Sequence, residues 1–583
     1  MRGVFLFPLL AVLALFLAAR VTPYPELEEF RLEHPGVVLS DRHGIEFAAR
    51  PTRTGTYRFD LAEDTIPDHV FEAVIASEDR RFLWHPGVDP VAVASRILRS
   101  SGRAEAGSGG ATIAIQLARM VRLNGAGGRT VWRDVWNALR IRSRVRPREL
   151  LTLYVNRVPF GFLADGIEAA SRYWLGKSAR EIDPREAYLL FTIPRNPSRY
   201  ALDRSSGHAV EAALRSANRA GRVFSRSALE TVVERAVGDS RSAGTSQRFL
   251  RDVTDARSGL GHVADRITQA QPVRDSRTSV DLAVQAVVRD ELAEALRETE
   301  GNRIADAAAI VLDTRTNEVR AYIGARPGDG SYGGSFIDAV QVPRSPGSTL
   351  KPFLFALAFE RGYTPDTVLH DVPLRFGTDE VFIPFNFNNR FNGPVTAAVA
   401  LGSSLNVPAV ALYDSIGQTD FLRYMTNLGL ATVVSETPRA GLGAVLGAAR
   451  TRLDELVSAY AALARGGLVM PIVFTSSPCC APTVAYRGIS ERAALQVTHI
   501  LSSSVYRHLG FPADSFLHDH DGVILKTGTA SQFTDIVAVA ADQSFTVGVW
   551  MGNLDGSTVI GEPGSSLPAR VALNVLSRAR ASR

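Results

Sequence analysis

Apolar residues between about residues 60 and 200 recur at intervals of three and four. Two segments show this most clearly, PDHVFEAVIASEDRRF at 67–82 and PRELLTLYVNRV at 147–158. This spacing places the apolar side chains on one face of a helix, and strand-like alternation is scarce, so a mainly helical domain is predicted. A glycine-rich stretch, GSGGATIAIQ at 107–116, opens one of these helices. Its small residues would let a ligand or another backbone approach closely.

The pattern changes twice farther along the chain. Residues 201–275 are polar and rich in arginine, which predicts a helical or irregular connector between two domains. The segment 281–296 then has the spacing of an amphipathic helix. Two apolar runs separated by the turn DTRTNE at 313–318 predict a hairpin, and the apolar segments 522–530, 535–541 and 545–552 predict further antiparallel strands. The second half is therefore expected to be mixed α/β with a central sheet.

The N-terminus carries a short apolar segment. Gly3–Ala19 contains no charged residue and is flanked by Arg2 and Arg20. Its length lies at the lower limit for a membrane-spanning helix and just above that of a typical signal peptide core. The poor cleavage site favours an uncleaved anchor over a removed signal. Either interpretation predicts that the rest of the chain is exported.

Composition narrows the class of protein only slightly. A chain of 583 residues needs several domains, and a hydrophobic content of 45% with 21% charged residues is typical of globular protein. The net charge of +5 fits an anionic membrane or a phosphate-bearing substrate, although a solvated arginine-rich surface explains it equally well. The two cysteines are adjacent, Cys479 and Cys480, so we expect neither a disulfide between distant elements nor a structural zinc site.

Lysine is rare in this chain. Only Lys177, Lys351 and Lys526 occur among 65 basic residues. Arginine stays charged in proteins, whereas a buried lysine can lose its proton and act as a base. Lys351 follows Ser348 by three residues, which places the two side chains on the same face of a helix start. A lysine in that position can activate a serine hydroxyl as a nucleophile.

Three short motifs follow one another in the second half. They are Ser348-Thr-Leu-Lys351, Ser404-Leu-Asn406 and Lys526-Thr-Gly528. The first alone is a weak signal, but the order and spacing of all three make coincidence improbable. Together they resemble the motifs of the penicillin-binding transpeptidases and their serine β-lactamase relatives.

This resemblance implies a role for each motif. Ser348 would be the acyl-enzyme nucleophile and Lys351 its general base. Ser404 would relay protons to the leaving amine, and Asn406 would hold the donor peptide. Backbone N–H groups of Ser348 and of a residue near Thr529 would form an oxyanion hole. The terminal carboxylate of the donor, or that of a β-lactam inhibitor, would be bound at Lys526, Thr527, Gly528 and Thr529.

The first half carries a second set of motifs. EDRRFLWHPGVDP at 78–90 is followed by GGATIAIQLAR, LLTLYVNRVPFG and AASRYWLGKSA within about a hundred residues. A lone Glu-Asp pair is ordinarily a solvated helix end. The four motifs together, however, resemble the peptidoglycan glycosyltransferase domain of class A penicillin-binding proteins. With RSPGSTLKPF and RFNGPVTAAVALGSSLNVPAV, the resemblance is closest to the 1C type and covers the chain from about residue 30 onward.

By this resemblance, Glu78 would deprotonate the sugar 4-hydroxyl of lipid II, which displaces undecaprenyl pyrophosphate with inversion. Asp134 would be a second catalytic carboxylate and a possible metal ligand. A divalent cation, Mg²⁺ or Mn²⁺, and basic residues, with Arg119, Arg129 and Arg133 as candidates, would stabilise the pyrophosphate; transpeptidation would need no cofactor. The predicted substrate-binding residues of this domain are Asp79, Phe82, His85, Gly87, Thr112, Gln116, Arg119, Asn156 and Lys177. His85 has about equal support as a structural helix histidine.

Several positions depart from the family pattern. Ala111 replaces a serine, Ile115 replaces a glutamine, and Pro147 replaces a lysine. The family's R-K-x-x-E aligns with TVWRD at 130–134, which removes two basic residues and shortens the carboxylate. Loss of cations at a pyrophosphate site reduces transition-state stabilisation. Two interpretations stay open, that Arg129 and Arg133 compensate through a shifted geometry and that they do not. The extra C-terminal β domain common in 1C-type relatives is expected to be absent.

We therefore predict a multidomain protein. A membrane anchor or signal at 1–20 precedes a mainly α, lysozyme-like glycosyltransferase domain at 45–205. A linker at 206–277 leads to an α/β transpeptidase domain at 278–575, similar to serine β-lactamases, with a central antiparallel sheet. The resemblance implies a bifunctional peptidoglycan synthase, held in the cell inner membrane by a single-pass anchor with its catalytic domains in the periplasm.

Other interpretations stay open at this point. The glycosyltransferase half could have decayed into a lipid II-binding module, leaving a transpeptidase only. The acyl-enzyme could instead meet water or a signalling partner, as in a D,D-carboxypeptidase or a β-lactam sensor. The expected partners are lipid II, nascent glycan strands, β-lactams as inhibitors, the cytoplasmic membrane and a cell-wall synthesis complex. No nucleic acid is expected.

Overall fold

The computed structural model describes residues 6–91, 111–123, 131–203, 206–240, 249, 259–270, 277–299, 304–327, 336–376, 382–475, 484–512, 514–530, 532–559 and 566–581. The glycine-rich opening at 107–110, Arg129, Thr130 and the cysteine pair lie outside these residues. The chain divides into two compact units. Unit 1 comprises Met1–Leu39 and Glu46–Val253, and unit 2 comprises Ser40–Ile45 and Thr254–Arg583.

Unit 1 is mainly helical, as the spacing of its apolar residues predicts. Two short strands, β1 (Val37–Ser40) and β2 (Glu46–Arg50), pair with each other. The helices are α1 (Leu6–Val21), α2 (Pro25–Leu32), α3 (Asp68–Glu78), α4 (Ile113–Leu123), α5 (Val131–Arg144), α6 (Pro147–Arg157), α7 (Ile167–Leu175), α8 (Pro184–Leu190), α9 (Pro197–Tyr200), α10 (Ser206–Arg219) and α11 (Arg226–Ser240).

One continuous hydrophobic core holds unit 1 together. α3 contributes Val70, Phe71 and Val74, spaced so that they share one helix face. Residues 206–240, which the composition places in a linker, form α10 and α11 and bury apolar side chains such as Val210 and Leu229 in the same core. Each of these two helices has an apolar face in the core and a polar, arginine-rich outer face. The average composition of the segment is therefore polar, which is why composition alone suggests a connector.

Helix α1 is tied to α5 by its C-terminal end. Arg20 donates to the carbonyl of Ser143 at 2.7 Å, and Arg144 donates to the carbonyl of Ala19 at 2.6 Å. These charged groups therefore satisfy helix-end carbonyls. Within the described part of the chain, none of the helices combines the length and apolar character required to span a membrane.

Unit 2 is built around a five-stranded antiparallel sheet. Its order is β4 (Val319–Ile323), β3 (Asp306–Asp313), β11 (Phe545–Gly552), β10 (Asp535–Ala541) and β9 (Ile524–Thr529). The hairpin and the antiparallel strands predicted from the apolar runs are confirmed. The remaining strands are β5 (Val368–Asp371) with β6 (Gly393–Thr396), and β7 (Leu468–Val469) with β8 (Tyr486–Arg487).

Helices cover both faces of this sheet. The helices of unit 2 are α12 (Gly261–Ala270), α13 (Leu282–Glu298), α14 (Lys351–Glu360), α15 (Ala397–Gly402), α16 (Asn406–Ile416), α17 (Gln418–Asn427), α18 (Ala431–Ala440), α19 (Leu453–Ala464), α20 (Glu491–Leu501) and α21 (Ser566–Ala581). α13 and α21 share a core with alternate strand residues such as Val547 and Val549. Gly548 faces α19, where a Cβ would lie 2.1 Å from Val457 Cγ2. Burial on both faces explains why these strands read as continuous apolar runs.

Candidate active sites

Ser348 of unit 2 lies in a short 3₁₀ turn, Gly347–Leu350, that leads directly into α14. The turn packs against the C-terminal end of β9. Gly347 has φ of +53°, and a Cβ there would approach Thr529 N to 2.4 Å. Only glycine combines this backbone conformation with this contact. The glycine thereby lets the turn that carries Ser348 lie close to the backbone of Thr529.

Lys351 is fully buried at the first position of α14. Its Nζ donates to the carbonyls of Ser404 at 2.7 Å and Leu405 at 3.0 Å and to Asn406 Oδ1 at 2.7 Å. Burial, together with the positive charge of Lys526, holds the pKa of Lys351 well below its usual range. The lowered pKa makes the neutral amine accessible, and a neutral amine has a lone pair that can accept a proton.

Lys526 and Ser404 form the other side of this arrangement. Ser404 has φ of +57°, an unusual conformation for a residue other than glycine, and its Oγ accepts from Lys526 Nζ at 2.8 Å. Lys526 also donates to the carbonyl of Thr527 at 2.8 Å. Burial, assisted by the charge of Arg507, lowers the pKa of Lys526 to about 7. Ser404 therefore contacts one lysine through its carbonyl and the other through its hydroxyl.

Ser348 and Ser404 border a cavity of about 840 Å³. The polar lining includes Ser348, Ser404, Asn406, Thr527, Gly528 and Thr529. The apolar lining includes Phe382, Phe385, Phe387, Phe511 and Phe533. Thus the structure brings together the three motifs predicted from the sequence, Ser348 to Lys351, Ser404 to Asn406 and Lys526 to Thr529. The aromatic lining has no counterpart in the sequence predictions.

Glu78 of unit 1 is the last residue of α3, and its carboxylate has two described side-chain donors. Gln116 Nε2 donates to Oε2 at 3.0 Å, and Arg195 Nε donates to Oε1 at 3.1 Å. Gln116 is itself oriented, because it accepts from Tyr154 OH at 2.9 Å and donates to the carbonyl of Ala111 at 3.3 Å. Burial and the nearby Glu78 carboxylate raise the pKa of Tyr154 well above its usual value, which keeps the phenol a donor.

The polar residues that follow Glu78 make hydrogen bonds within unit 1. His85 Nδ1 accepts from Gly87 N at 3.2 Å, so its proton is on Nε2, which lies 2.9 Å from Asp79 Oδ1. Asp79 Oδ2 accepts from Ile113 N at the start of α4. These contacts join the loop after α3 to α4. The substrate contacts predicted for Asp79 and His85 stay predictions beside these structural contacts.

Three further predicted substrate contacts are also engaged in packing. Phe82 is buried, and a Cβ on Gly87 would lie 2.9 Å from the carbonyl of Ala138 in α5. Thr112 donates its hydroxyl to the carbonyl of Gly87 and accepts from Ile115 N, which caps the start of α4. All three therefore hold the loop close to α4 and α5.

Asn156 and Lys177 likewise have internal partners. Asn156 exchanges hydrogen bonds with the backbone N–H and carbonyl of Leu61, at 3.0 and 2.9 Å. Lys177 Nζ lies 2.8 Å from Glu186 Oε2 and donates to the carbonyl of Glu181. Both contacts stabilise local structure, so neither residue is placed at the Glu78 carboxylate.

Asp134 lies between two arginines. Arg119 Nε donates to Oδ2 at 3.0 Å, and Arg122 Nε donates to Oδ1 at 3.3 Å. Among the described residues, no group of three or more His, Cys, Asp and Glu side chains is placed to hold a metal ion. With both oxygens paired to cations, Asp134 does not fit a metal site held by the protein alone.

Arg195 and Arg122 were not among the predicted site residues. Arg195 follows Glu78 by 117 positions in the segment TIPRNPSRY, and its composition gives no local sign of a role. In a chain so rich in arginine, a single functional arginine does not stand out. Arg122 could have been found, since it follows Arg119 by three residues and therefore shares its helix face.

Comparison with known proteins agrees with this division. Residues 47–225 match the transglycosylase family and residues 307–553 match the penicillin-binding protein transpeptidase domain. Penicillin-binding protein 1C of Escherichia coli (strain K12) is 31% identical over 96% of this chain and 69% of its own length. Penicillin-binding protein 2D of Bacillus subtilis (strain 168) is 26% identical over 87% of this chain and 75% of its own.

A solved structure supports the fold. Penicillin-binding protein 1A from Haemophilus influenzae superposes with a TM-score of 0.59, covering 94% of this chain and 92% of that one at 15% identity. The two matched domains account for glycosyltransferase and transpeptidase activities in one polypeptide. The chain therefore belongs to the class A penicillin-binding proteins, bifunctional peptidoglycan synthases, and is of the 1C type.

Proposed function

We propose that Ser348 and Glu78 are the reacting residues of this bifunctional synthase, which polymerises lipid II and cross-links the stem peptides of the product. The observation that carries the transpeptidase assignment is the convergence of both buried lysines on Ser404. The observation that carries the glycosyltransferase assignment is the Glu78 carboxylate oriented by Gln116 and Arg195.

In the transpeptidase site, neutral Lys351 takes the proton of Ser348 as Oγ attacks the carbonyl of the penultimate D-alanine. The backbone N–H groups of Ser348 and Thr529 stabilise the oxyanion. Ser404, hydrogen-bonded to Lys526, passes a proton to the leaving D-alanine amine as the C–N bond breaks. An amine from a second stem peptide then attacks the ester, and the proton transfers run in reverse to release Ser348. Lys526 and Thr527 bind the donor carboxylate; support comes from Thr527 on the cavity wall and from Ser404, which also lines the cavity and accepts from Lys526 Nζ.

In the glycosyltransferase site, Glu78 accepts the proton of the sugar 4-hydroxyl as its oxygen forms the new glycosidic bond. The bond to undecaprenyl pyrophosphate breaks on the opposite face, so the anomeric centre inverts. We assign Arg195, with Arg119 and Arg122, to the positive charge that the altered TVWRD motif lacks. The divalent cation stays a prediction, and no step here depends on it.

We also propose that the protein acts at the periplasmic face of the inner membrane. Support comes from the uncharged segment Gly3–Ala19 and from two tryptophans of unit 1, Trp84 and Trp132, whose side chains are 87% and 82% exposed. Tryptophan is favoured at membrane–water interfaces. A surface of this kind suits a lipid-linked substrate. A cell-wall synthesis complex as partner remains a proposal from family membership.

A paired experiment tests both assignments on the full-length protein in detergent. Labelled lipid II polymer, cross-linked peptide and uptake of labelled penicillin are measured for the wild type, Glu78→Gln and Ser348→Ala. We expect Glu78→Gln to lose polymer but keep penicillin uptake, and Ser348→Ala to lose uptake and cross-links but keep polymer. Polymer from Glu78→Gln at the wild-type rate contradicts the role of Glu78.

Three further outcomes identify the rival functions. A wild type that takes up penicillin but makes no polymer has a silent glycosyltransferase half, as in the lipid II-binding alternative. Release of terminal D-alanine without cross-links identifies a D,D-carboxypeptidase. Penicillin uptake without either product identifies a sensor.

A further inference from the structure

Asp371, the last residue of β5, is a fully buried carboxylate close to the transpeptidase site. Asn386 Nδ2 donates to its two oxygens at 2.8 and 2.9 Å. Asn392 donates to Oδ2 through its backbone N–H at 2.9 Å and through Nδ2 at 2.6 Å. Among the residues that the structure describes, these donors are amides and none is a cation. A buried carboxylate is costly without such donors, so the surrounding loop is organised to satisfy this one.

Asp371 determines which way the Asn386 amide points. A carboxylate can only accept hydrogen bonds, so the NH₂ group of Asn386 must face it. The same NH₂ group donates to the carbonyl of Arg390 at 2.8 Å. The Oδ1 of Asn386 is then directed at Asn406, whose backbone N–H it accepts at 2.8 Å. Reversal of the amide would leave two N–H groups facing each other.

Asn406 is in turn held at both ends of its side chain. Its Nδ2 donates to the carbonyl of Phe385 at 2.7 Å, and its Oδ1 accepts from Lys351 Nζ at 2.7 Å. The loop that carries Phe385 and Asn386 thus fixes the carbonyl end of the Asn406 amide toward Lys351. A continuous series of hydrogen bonds therefore runs from Asp371 through Asn386 and Asn406 to Lys351.

We propose that Asp371 is a positioning residue for the acylation of Ser348, acting through Asn386 and Asn406 on the Lys351 amine. The proposal rests on the roles assigned above to Ser348 and Lys351. Lys351 has three acceptors, and the neutral amine needs a fixed pair of them so that its lone pair is directed at Ser348. Asn406 Oδ1 is the only side-chain acceptor of the three described. Asp371 acts on it through the loop, because Asn386 holds the Asn406 backbone N–H while the adjacent carbonyl of Phe385 orients the Asn406 amide.

Noncovalent binding of a β-lactam and acylation of Ser348 should respond differently to a change at Asp371. The loop from Phe382 to Asn389 also lines the cavity, so a disordered loop would weaken the noncovalent binding of a β-lactam. Misplacement of the Lys351 amine would instead slow the covalent step, because proton transfer from Ser348 depends on geometry. Stopped-flow acylation of the full-length protein by a fluorescent penicillin resolves the two, as a dissociation constant and a first-order acylation rate.

We expect Asp371→Asn to lower the acylation rate by about tenfold or more while the dissociation constant stays within about threefold of the wild type. An amide at 371 no longer dictates the direction of the Asn386 side chain. The double variant Asp371→Asn with Asn386→Asp exchanges the two groups. Its carboxylate at 386 can accept both from the amide at 371 and from Asn406 N, but it loses the hydrogen bond to the carbonyl of Arg390 and faces that oxygen, so it should recover part of the lost rate.

Asp313→Asn is the matched control. Asp313 is also buried and also ends a strand, β3, and it accepts from Arg320 and from backbone N–H groups of its own turn. It is absent from the cavity lining. Its replacement should lower the unfolding temperature without changing the acylation rate of the folded protein. Asn386→Ala provides a second test if Asp371→Asn fails to fold, with the same loss of rate expected.

The proposal is overturned if Asp371→Asn acylates at the wild-type rate, if the exchange variant stays as slow as the single variant, or if Asp313→Asn is slowed equally. Ser348→Ala distinguishes these results from failure of the proposed function. If Ser348→Ala takes up no penicillin while Asp371→Asn reacts normally, the nucleophile stands and the positioning role falls.

Discussion

At the scale of single residues, both sites depend on charged groups that burial makes reactive or holds in place. Lys351 and Lys526 lie within a few ångströms of Ser404, and burial lowers the pKa of each. Arginine at either position would keep its charge at any accessible pH. Lysine at these two places can therefore change its charge where arginine could not.

The folding stability of unit 2 should depend on pH because Lys526 is buried. Its pKa is about 7 in the folded protein against about 10.4 in an unfolded chain, so the folded state binds fewer protons between these values. Folding stability due to this group therefore rises with pH from 7 to about 10.4. Below pH 7 the buried ammonium destabilises the fold to its full extent. We expect Lys526→Met to be more stable than the wild type there, by on the order of 2 kcal/mol.

Calorimetry at pH 6 and pH 9.5 measures this difference. The advantage of Lys526→Met should shrink at the higher pH, because the wild-type amine is then neutral in the folded state. Because the charge of Lys526 also lowers the pKa of Lys351, the same pair of proteins is compared in a Lys351→Met background, which removes that second titration. An advantage of equal size at both pH values would show that the charge of Lys526 is not the cause.

Arg195 gives the corresponding prediction for unit 1. We expect Arg195→Ala to lower the rate of lipid II polymerisation by roughly tenfold to a hundredfold, since it removes a donor from Glu78 and a positive charge from the site. Guanidinium ion added to the assay should restore part of the rate. Arg199→Ala is the control, because Arg199 is on the same segment but stacks on Tyr200. An equal loss in both variants would indicate a general effect on the segment.

At the scale of elements, the Ser348 turn can pack closely on strand β9 because glycines lie at the contact, Gly347 in the turn and Gly528 in the strand. Gly347→Ala should lower the acylation rate at least about tenfold and destabilise unit 2 by roughly 2–4 kcal/mol, because its Cβ would collide with Thr529 N and its φ is positive. Gly362→Ala isolates the effect of φ alone. Gly362 has φ of +97°, but a Cβ there meets nothing within 4 Å.

Acylation and thermal unfolding of both variants separate the two effects. Gly362→Ala should cost about 1–2 kcal/mol of stability and leave the acylation rate unchanged. If Gly347→Ala acylated as fast as the wild type, the close packing of the turn on β9 would not be needed to form the oxyanion hole.

The same scale shows what the sequence can and cannot predict. Regular apolar spacing was enough for the helices of unit 1 and the strands of unit 2, and short motifs were enough for Ser348, Lys351 and Lys526, because these signals are local. Asp371, Arg195 and the phenylalanines of the cavity were missed, because each acts through contacts distant in sequence. The substrate contacts predicted for Asp79, His85 and Asn156 stay predictions, and motif membership does not reveal the internal hydrogen bonds that these residues make.

At the scale of the whole molecule, the two activities reside in two compact units, each with its own hydrophobic core. This organisation accounts for one chain carrying two unrelated reactions, an inverting glycosyl transfer and a serine acyl transfer. The Glu78 site and the Ser348 site draw their described side-chain contacts from unit 1 and unit 2 respectively.

Thermal unfolding of the full-length protein should therefore show two transitions, one for each unit. Penicillin should shift only the transition of unit 2, which carries Ser348. A penicillin acyl group on Ser348 stays attached when unit 2 unfolds, so it stabilises the native state only through its noncovalent contacts in the cavity. The unit 2 transition should rise by about 2–4 °C for each kcal/mol that these contacts contribute. The unit 1 transition should not move, and Ser348→Ala should show no shift at all. Glu78→Gln should leave the penicillin-dependent shift intact. A single transition that moves as a whole on acylation would mean that the two cores unfold cooperatively, and substitutions in one unit would then have to be judged by their effect on both reactions.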